Sequence, residues 1–288
     1  MTKLGKTAVM ALSAIAASAL ASTAVSAATL AEIQESGSIR IAVANEIPYG
    51  YIDPVSGEAM GAGPDVAKHI AEELGVTNIE WITTDFSSLI PGLQADRFDM
   101  VAAEMAIIPT RCATVIYSEP NTSYGEGLLV PAGNPEGLTG YADFAENSDL
   151  TVAIMAGANQ LDMMQALGVS EDQLVTISSN ADAISTVSTG RADAYAATGL
   201  TASELAGQSD AVEVAEGFTD PVIDGTEQRS WGGFVFAQGN EELRDAVNEV
   251  LAEYKQTDEW LETVSGYGFT DADTSRSFDM STAELCAE

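Results

Sequence analysis

The regular alternation of strand and helix patterns constrains the fold of this chain more than any other feature. Short apolar runs predict buried strands at 39–44, 98–103 and 151–155. Between such runs, apolar residues recur every three or four positions, which predicts helices such as 64–74 and 241–262. Strands that alternate with helices in this way are typical of an α/β fold with mostly parallel sheets flanked by helices.

One pattern occurs twice, once in each half of the chain. In each copy an apolar helix pattern is followed by a turn and then by Arg-x-Asp at the start of a buried strand, at 97–99 and at 191–193. Two copies of one helix-turn-strand unit indicate two similar α/β lobes. The length of 288 residues also exceeds that of a typical single domain, which fits two lobes of medium size.

Residues 1–27 have the features of a secretory signal peptide. Lys3 and Lys6 precede an apolar, alanine-rich run over 8–21, and Val25-Ser-Ala27 provides the small residues that come before a cleavage site. The apolar run is shorter than the ~20 residues that a membrane-spanning helix needs. We therefore predict a cleaved signal peptide and an exported protein in the periplasm. An uncleaved membrane anchor is the alternative.

The chain is strongly acidic, with 44 acidic and 11 basic residues and a formal net charge of −33. The acidic residues are spread along the chain and form no long tract. We expect no nucleic-acid partner, because binding to phosphates requires a basic face. A heavily solvated surface is the first interpretation of the charge, and attraction of cationic ligands is the second.

Two cysteines, Cys112 and Cys286, are present in a chain that is expected to reach an oxidising compartment. One disulfide between them would tie the C-terminal tail to the first half of the chain. Two free thiols are the alternative.

The sequence lacks the patterns of common catalytic and metal sites. His69 is the only histidine, so no Ser-His or Cys-His pair can be assembled without it. It lies within the predicted helix 64–74, where a solvated side chain is its expected role. There is no CxxC, HExxH or EF-hand run. We expect a protein that is not an enzyme and that has no metal site and no cofactor.

Four runs carry a resemblance to a known family. They are Gly37-Ser-Ile-Arg-Ile-Ala-Val43, Gly63-Pro-Asp-Val-Ala67, Leu89-Ile-Pro-Gly-Leu-Gln-Ala-Asp-Arg-Phe-Asp99 and Met105-Ala-Ile-Ile-Pro-Thr-Arg-Cys-Ala-Thr-Val-Ile-Tyr-Ser-Glu-Pro120. Together they resemble the solute-binding proteins of ABC importers, in the polar amino-acid type known as family 3. The last run matches the arginine motif of that family and is the most specific of the four. The resemblance covers essentially the whole chain after residue 27.

Within this family the sequence is most similar to the ectoine- and hydroxyectoine-binding subgroup. The similarity is carried by Asn45-Glu-Ile-Pro-Tyr-Gly-Tyr51, Thr83-Thr-Asp-Phe86, Arg111-Cys112, Gly190-Arg-Ala-Asp-Ala-Tyr-Ala196 and Leu285-Cys286. It implies a protein that captures ectoine, hydroxyectoine or a similar small zwitterion and delivers it to the membrane permease of an ABC importer. A polar amino acid is the alternative ligand. A cyclohexadienyl-dehydratase-like enzyme on the same fold is the alternative function.

The resemblance also implies the periplasmic-binding-protein fold, with two α/β lobes, a ligand cleft between them and a two-segment hinge. Lobe 1 would comprise residues 28–121 and 221–288, and lobe 2 would comprise residues 122–220. We expect a monomer.

The same resemblance implies which residues of lobe 1 contact the ligand. Arg111 would hold a carboxylate, because its guanidinium offers two parallel hydrogen bonds. Glu46 would accept hydrogen bonds from a ring amidinium at the other end of the ligand. Tyr49 and Phe86 match aromatic positions that wall the ligand. Glu104 is a further candidate, a second carboxylate that would share acid-base work with Glu46 in the enzyme alternative.

One position departs from the subgroup, and lobe 2 adds three candidates. Ala106 stands where the subgroup has an aromatic residue, so one wall of the aromatic cage is missing or comes from another residue such as Trp231. Gly157 and Asn159 lie where a strand meets a helix N-terminus, which favours an anion. Capping that helix is an equal alternative for Asn159. Thr198 replaces the Asp with which typical amino-acid binders receive an α-ammonium group, and this favours a ligand without a free ammonium.

Overall fold

The computed structural model of the protein describes residues 28–287. They form two mixed β-sheets flanked by helices, which confirms the α/β fold class. Within residues 28–287, no helix combines the length and the apolar character needed to cross a membrane. The predicted signal peptide, residues 1–27, lies outside the described residues.

Residues 28–287 contain fifteen strands, of which eleven form the two mixed sheets and four form two small two-stranded sheets. They are β1 (Ser38–Val43), β2 (Tyr51–Ile52), β3 (Ala59–Met60), β4 (Asn78–Thr83), β5 (Met100–Ala106), β6 (Val115–Tyr117), β7 (Thr122–Tyr124), β8 (Glu126–Pro131), β9 (Val152–Met155), β10 (Leu174–Ile177), β11 (Ala194–Thr198), β12 (Val212–Val214), β13 (Val222–Ile223), β14 (Thr226–Glu227) and β15 (Ser230–Ala237). The first sheet has the order β4-β1-β5-β15-β6, and β7 also pairs with β15. The second sheet has the order β10-β9-β11-β8-β12. We call each sheet with its helices a lobe, lobe 1 and lobe 2 respectively.

The helices alternate with these strands. They are α1 (Leu30–Ser36), α2 (Ala62–Glu73), α3 (Leu89–Gln94), α4 (Pro109–Cys112), α5 (Ala142–Glu146), α6 (Gln160–Ala166), α7 (Ala183–Ser188), α8 (Gly199–Ala206), α9 (Glu241–Tyr254), α10 (Asp258–Ser265), α11 (Asp271–Arg276) and α12 (Thr282–Leu285). Short 3₁₀ helices cover 86–88, 171–173 and 180–182.

Each sheet contains parallel and antiparallel pairs, so the expectation of mostly parallel sheets was wrong. β1 pairs in parallel with β4 and β5, and β9 pairs in parallel with β10 and β11. β15 runs antiparallel to β5, β6 and β7, and β8 runs antiparallel to β11 and β12. β8 and β15 are the strands by which the chain enters one sheet from the other, and neither follows a helical crossover within its own sheet. Such strands are free to run against their neighbours.

The two Arg-x-Asp runs make the same contact in the two sheets. Asp99, just before β5, accepts a hydrogen bond from the backbone N–H of Arg40 in β1 at 2.9 Å, and it also pairs with the Arg40 guanidinium. Asp193, just before β11, accepts from the backbone N–H of Thr151, just before β9, at 2.7 Å. Each carboxylate therefore ties the start of one strand to the start of its parallel neighbour. The repeat predicted from the sequence is a structural repeat.

In the part of the chain that the structure describes, the backbone crosses between the two mixed sheets twice, and the two crossings lie side by side. The first is at Gly125, and the second covers 215–229. The backbone N–H of Glu126 donates to the carboxylate of Asp220 in the second crossing at 2.7 Å. A Cβ atom at Gly125 would lie 3.1 Å from that same carboxylate. A side chain at this position would therefore crowd the carboxylate that joins the two crossings.

The edges of the lobes differ from the predicted ones by a few residues. The sequence assigned residues 122–124 to lobe 2, but as β7 they pair with β15 in the first sheet. The first sheet resumes with β15, after the β13–β14 hairpin in the second crossing, and not directly at residue 221.

The helix predicted over 241–262 is in fact two helices, α9 and α10. Thr257 lies between them with an extended backbone, and its hydroxyl accepts a hydrogen bond from the backbone N–H of Trp260 at 3.1 Å. Threonine is a favoured helix N-cap because it satisfies a backbone donor in this way. The capping residue thus overrides the continuous apolar pattern.

Apolar side chains form a core in each lobe and a further cluster between the lobes. The cluster between the lobes contains Phe86 and Leu89 of lobe 1 together with Met155 and Tyr195 of lobe 2. Because it draws buried side chains from both lobes, the lobes are in direct contact.

Cys112 and Cys286 form a disulfide that connects α4 with the residue after α12. The sequence separation between them is 174 residues. The bridge therefore fastens the C-terminal end of the chain to the turn that carries Arg111.

We expect the double substitution Cys112→Ser with Cys286→Ser to lower the free energy of unfolding by about 2 to 5 kcal/mol, because the bridge restricts a long loop of the unfolded chain. Urea unfolding of the exported protein, with and without the substitutions, measures this difference. Mass spectrometry of the unreduced wild-type protein should find one linked peptide pair. Two alkylatable thiols in protein exported to an oxidising compartment would contradict the bridge.

Candidate ligand-binding site

A small cavity lies between the two lobes, beside the ends of β1, β5, β9 and β11. Loops at the carboxyl ends of such strands are where α/β sheets present ligands. The free volume of the cavity is about 30 Å³. It is lined by Glu46, Tyr49, Phe86, Ala103, Glu104, Ala106, Tyr124, Met155, Ala158, Asn159, Gln160, Tyr195, Ala197 and Thr198. Six of the eight residues predicted from the sequence are in this lining, and the other two, Arg111 and Gly157, are bonded to each other nearby.

Glu46 presents a buried carboxyl group to the cavity. Its backbone exchanges two hydrogen bonds with Gly50, which closes the loop after β1. A Cβ atom at Gly50 would lie 2.5 Å from the carbonyl oxygen of Ala102, so only glycine lets this loop approach β5 so closely. The carboxyl accepts a hydrogen bond from the Asn180 side chain of lobe 2 at 3.0 Å. Burial raises the pKa of Glu46 to about 7, although Asn180 and Arg111 act to lower it.

Aromatic residues form much of the lobe 1 wall. The rings of Tyr49 and Tyr124 lie 5.1 Å apart between centroids, and both line the cavity. The hydroxyl of Tyr49 donates to the hydroxyl of Thr198 at 2.7 Å, which is a direct contact between the lobes. Phe86 also lines the cavity, at the start of a 3₁₀ turn that leads into α3. These rings provide faces on which a flat or cationic group can pack.

Arg111 joins the two lobes. Its guanidinium donates to the carbonyl oxygens of Ala106 in lobe 1 and Gly157 in lobe 2, each at 2.9 Å. It also lies over the Phe86 ring, 5.5 Å from the centroid. Within residues 28–287, no carboxylate lies at salt-bridge distance from Arg111. Its positive charge is therefore held between carbonyl groups and an aromatic ring, and it is not neutralised by an acidic partner there.

Glu104 is fully engaged by the protein. Its carboxylate accepts hydrogen bonds from the side chains of Asn121, at 2.7 Å, and Thr122. The backbone of Glu104 has a φ of 46°, and a Cβ atom at Gly232 would lie 2.8 Å from its carboxylate. Burial raises its pKa, while the two hydrogen bonds and the charge of Lys255 lower it. The strained backbone and the satisfied carboxylate indicate a residue that shapes the wall of the cavity.

Thr198 closes the lobe 2 side and caps α8. Its hydroxyl accepts from the backbone N–H of Thr201 at 3.2 Å, as well as from Tyr49. The position is therefore occupied by a structural cap that also contacts lobe 1.

Gly157 and Asn159 lie between β9 and α6. Gly157 has a φ of 82°, and a Cβ atom there would lie 3.1 Å from the Cα atom of Ser87 in lobe 1, so the residue permits close approach of the lobes. Asn159 makes no capping hydrogen bond to α6. Its side chain instead donates to the hydroxyl of Ser230 at 3.2 Å. Of the two roles expected for Asn159, capping by its side chain is the one that the structure contradicts.

The position that departs from the subgroup, Ala106, contributes no aromatic ring to the cavity. Ala106 lines the cavity, together with Met155 and Ala158 from lobe 2. Trp231 is not in the lining, and its indole N–H donates to the carbonyl oxygen of Arg276 at 2.9 Å. Trp231 therefore does not supply the missing ring.

Sequence reasoning missed a buried polar group behind the lobe 2 wall. The carboxylate of Glu126 accepts hydrogen bonds from Gln160 at 2.6 Å and from Ser230 at 3.2 Å. Burial raises the pKa of Glu126 to about 7. Asn180 was also missed, although it bonds Glu46, and so was its partner Tyr195. Only Tyr195 had a signal, because it falls within the 190–196 run that carries the family resemblance.

Within residues 28–287, no group of three or more His, Cys, Asp or Glu side chains could hold a metal ion. The cavity combines carboxyl and amide oxygens, aromatic faces and a neighbouring guanidinium. Such a set can hold a small molecule that has hydrogen-bond donors on one part and an anionic group on another.

Comparison with known proteins identifies the family. Residues 39–270 match the family described as bacterial extracellular solute-binding proteins, family 3. A protein of Sinorhizobium fredii (strain NBRC 101917 / NGR234), described as a "probable amino-acid ABC transporter periplasmic-binding protein y4tE", is 54% identical over 263 residues, which cover 91% of this chain and 87% of that protein.

Two solved structures are similar over most of the chain. The crystal structure of EhuB in complex with hydroxyectoine has 31% sequence identity and a TM-score of 0.80, and the match covers 89% of this chain and 97% of that one. The ancestral amino acid-binding protein AncCDT-1, described as a precursor of cyclohexadienyl dehydratase, has 28% identity and a TM-score of 0.70, over 83% of this chain and 98% of that one. These similarities agree with the two-lobed periplasmic-binding-protein fold, and the family match shows that this chain belongs to the bacterial extracellular solute-binding proteins, family 3.

Proposed function

We propose that this protein captures ectoine, hydroxyectoine or a similar small zwitterion and delivers it to the permease of an ABC importer. The observation that carries the proposal is the buried carboxyl of Glu46 in a cavity between two lobes, with aromatic faces beside it. A cationic ring that enters this cavity gains a carboxylate partner and ring faces at the same time. Arg111, which has no carboxylate partner among the described residues, supplies a positive charge for the anionic end of such a ligand.

The known relatives support two ligand classes. The structure of EhuB contains hydroxyectoine, and this favours the ectoine class. The name of the Sinorhizobium fredii relative refers to amino acids, so a polar amino acid is the alternative. Thr198 favours the first class, because at this position the chain has a helix cap and no carboxylate to receive an α-ammonium group.

The protein would act outside the cytoplasm, as a monomer that an N-terminal signal peptide directs to the periplasm. The enzyme alternative gains no support from AncCDT-1, since that protein is itself described as an amino acid-binding protein. A binding protein returns its ligand unchanged, so incubation with prephenate should yield no new product.

Ligand entry requires the lobes to separate. The cavity of about 30 Å³ has room for a few water molecules at roughly 10 to 15 Å³ each, but not for a ring-shaped solute. The contacts that close it include those of Tyr49 with Thr198 and of Arg111 with Gly157. A ligand must displace or rearrange such contacts and replace them with its own.

A thermal-shift screen of the mature protein over compatible solutes and polar amino acids tests the proposal. A ligand at about a hundred times its dissociation constant stabilises the folded state by ~2.7 kcal/mol. We expect the largest increase in melting temperature with ectoine or hydroxyectoine. A shift produced by an amino acid, with none from either ectoine, would replace the proposed ligand with the alternative one.

We expect Arg111→Lys to weaken ectoine binding by about 2 to 5 kcal/mol, because an ammonium cannot reproduce the fork of the guanidinium or span the same two carbonyl groups. Isothermal titration calorimetry measures the loss. Arg97→Lys, at an exposed position of the same lobe, is the matched control and should leave affinity unchanged. Equal affinity in Arg111→Lys and wild type would remove Arg111 from the site.

The raised pKa of Glu46 predicts a specific pH dependence of stability. Since folding raises this pKa from 4.5 to about 7, the folded state holds the proton more tightly than the unfolded state between these two values. The associated stability is complete below about pH 4.5 and is lost as the pH rises through 7. Glu46→Gln cannot ionise, so its unfolding free energy relative to wild type should increase over this interval by up to about 3 kcal/mol.

Urea unfolding of both proteins at a series of pH values measures this difference. Glu136→Gln removes the same charge from an exposed turn and should show no such trend. Parallel pH profiles for Glu46→Gln and wild type would mean that the carboxyl ionises freely in the folded protein.

A further inference from the structure

We propose that Glu126 is a positioning residue that fixes the direction of two amide groups in the cavity wall, so that lobe 2 presents hydrogen-bond acceptors to the ligand. The two amides belong to Asn159 and Gln160, which both line the cavity. This inference rests on the proposed function, because it assigns the donor groups of the ligand to these two positions.

Glu126 lies where it can act on both lobes. It is the first residue of β8, directly after the first crossing, and it is buried. One carboxylate oxygen accepts from the Nε2 amide of Gln160 at 2.6 Å and from the hydroxyl of Tyr141 at 3.4 Å, and the other accepts from the hydroxyl of Ser230 at 3.2 Å. Ser230 is the first residue of β15, at the end of the second crossing.

The chemistry of this carboxylate determines the direction of the Gln160 amide. Above its pKa of about 7, Glu126 is ionised and only accepts hydrogen bonds. The side chain of Gln160 then turns its NH₂ group toward Glu126. Its carbonyl oxygen then points the other way. Among the described residues, this oxygen accepts no hydrogen bond, and Gln160 is part of the cavity lining. The oxygen is therefore available to a donor group of a ligand.

The same constraint reaches Asn159 through Ser230. A hydroxyl has a single proton, and Ser230 donates it to Glu126. Its oxygen is left to accept, and it accepts from the Nδ2 amide of Asn159 at 3.2 Å. Asn159 thus also turns its NH₂ group toward the Glu126 network. Its amide oxygen then points the other way. Both amides have the same polarity because both chains of hydrogen bonds end on one carboxylate.

This polarity defines a selectivity. The lobe 2 wall offers two amide oxygens, and Glu46 offers a carboxyl oxygen from lobe 1. A ligand with N–H or O–H donors on its cationic part satisfies these acceptors, whereas a ligand without donors leaves them buried and unpaired. The side chain of Asn159 therefore favours a donor, in contrast to the anion expected from its place before a helix.

The first test needs no ligand. In wild-type mature protein at pH 8, the NH₂ protons of Gln160 should exchange with water about tenfold more slowly than those of the exposed Gln165, because they are hydrogen-bonded to a buried carboxylate. Nitrogen-15 NMR measures the exchange, with the Gln160 signals assigned by their loss in Gln160→Glu. Equal exchange rates for the two glutamines in wild type would overturn the inference whatever the variants do.

Glu126→Gln should raise the exchange rate of Gln160, because an amide at 126 brings its own NH₂ group and forces one partner to turn. Asp220→Asn is the matched control. It removes a charge from the neighbouring crossing but keeps an oxygen that accepts the Glu126 N–H, so the exchange rate should not change. An unchanged rate in Glu126→Gln would also overturn the proposal.

The second test uses ectoine as the probe in calorimetry at pH 8. Glu126→Gln should weaken binding by about tenfold or more, and Asp220→Asn should stay within about threefold of wild type. The double variant Glu126→Gln with Gln160→Glu keeps the total charge and again turns an oxygen toward the cavity. It should restore most of the affinity, which a simple loss of packing at residue 126 would not allow.

If the double variant binds ectoine as weakly as Glu126→Gln alone, the positioning role of Glu126 is contradicted. If Glu126→Gln does not fold, the affinity of the double variant and the amide proton exchange rates of wild type decide the question. If wild type binds no ectoine, the proposed function fails, and the exchange rates of Gln160 still decide whether Glu126 directs the amide.

Discussion

The side-by-side crossings of the chain at Gly125 and Asp220 are the constraint on which the rest of the structure depends. Among the described residues they are the two places where the chain passes between the lobes, and the hydrogen bond from the backbone of Glu126 to the carboxylate of Asp220 joins them. Two adjacent connections act as one axis, so lobe movement is expected to be a rotation about it. Hydrogen bonds that join the lobes away from the crossings, such as that of Asn180 with Glu46, would break in such a rotation.

Three buried carboxyl groups lie at or near the cavity, and hydrogen bonds offset the cost of burying them to different extents. An unpaired buried charge is costly, and each hydrogen bond to it offsets part of that cost. Glu104 accepts two side-chain hydrogen bonds and Glu126 accepts three, whereas Glu46 accepts one, from Asn180. Glu46 is therefore the least satisfied of the three. A ligand that brings donors to Glu46 removes a cost that the protein alone leaves in place.

Much of the fold was predictable because it depends on local patterns. The strands were found from runs of apolar residues, and the two lobes were found from the repeated Arg-x-Asp, whose aspartates tie parallel strands together. The antiparallel entry of β8 and β15 was not predictable in this way. Strand direction after a crossing depends on where the chain returns from, and that is a long-range property. Thr257 shows that a local feature can also be missed. Its hydroxyl caps a second helix at a point where the apolar spacing predicts one continuous helix.

The site was predictable where a motif carried it. Family resemblance located Glu46, Tyr49 and Phe86, which the structure places in one lining. It gave no signal for Glu126, because that residue acquires its role only when Ser230, far away in sequence, is brought beside it. Nor could spacing reveal that the indole of Trp231 is bonded elsewhere. Residues that act through partners from distant parts of the sequence can be recognised only once the fold has brought them together.

The disulfide also has a consequence for the order in which the molecule matures. Cys286 lies 174 residues after its partner in the sequence, and that partner adjoins Arg111. The bridge cannot close until the chain has been made as far as Cys286 and both cysteines have reached an oxidising compartment. A newly made chain still in the reducing cytoplasm thus lacks the covalent support of its arginine-bearing turn. The disulfide can therefore anchor the turn that carries Arg111 only after export.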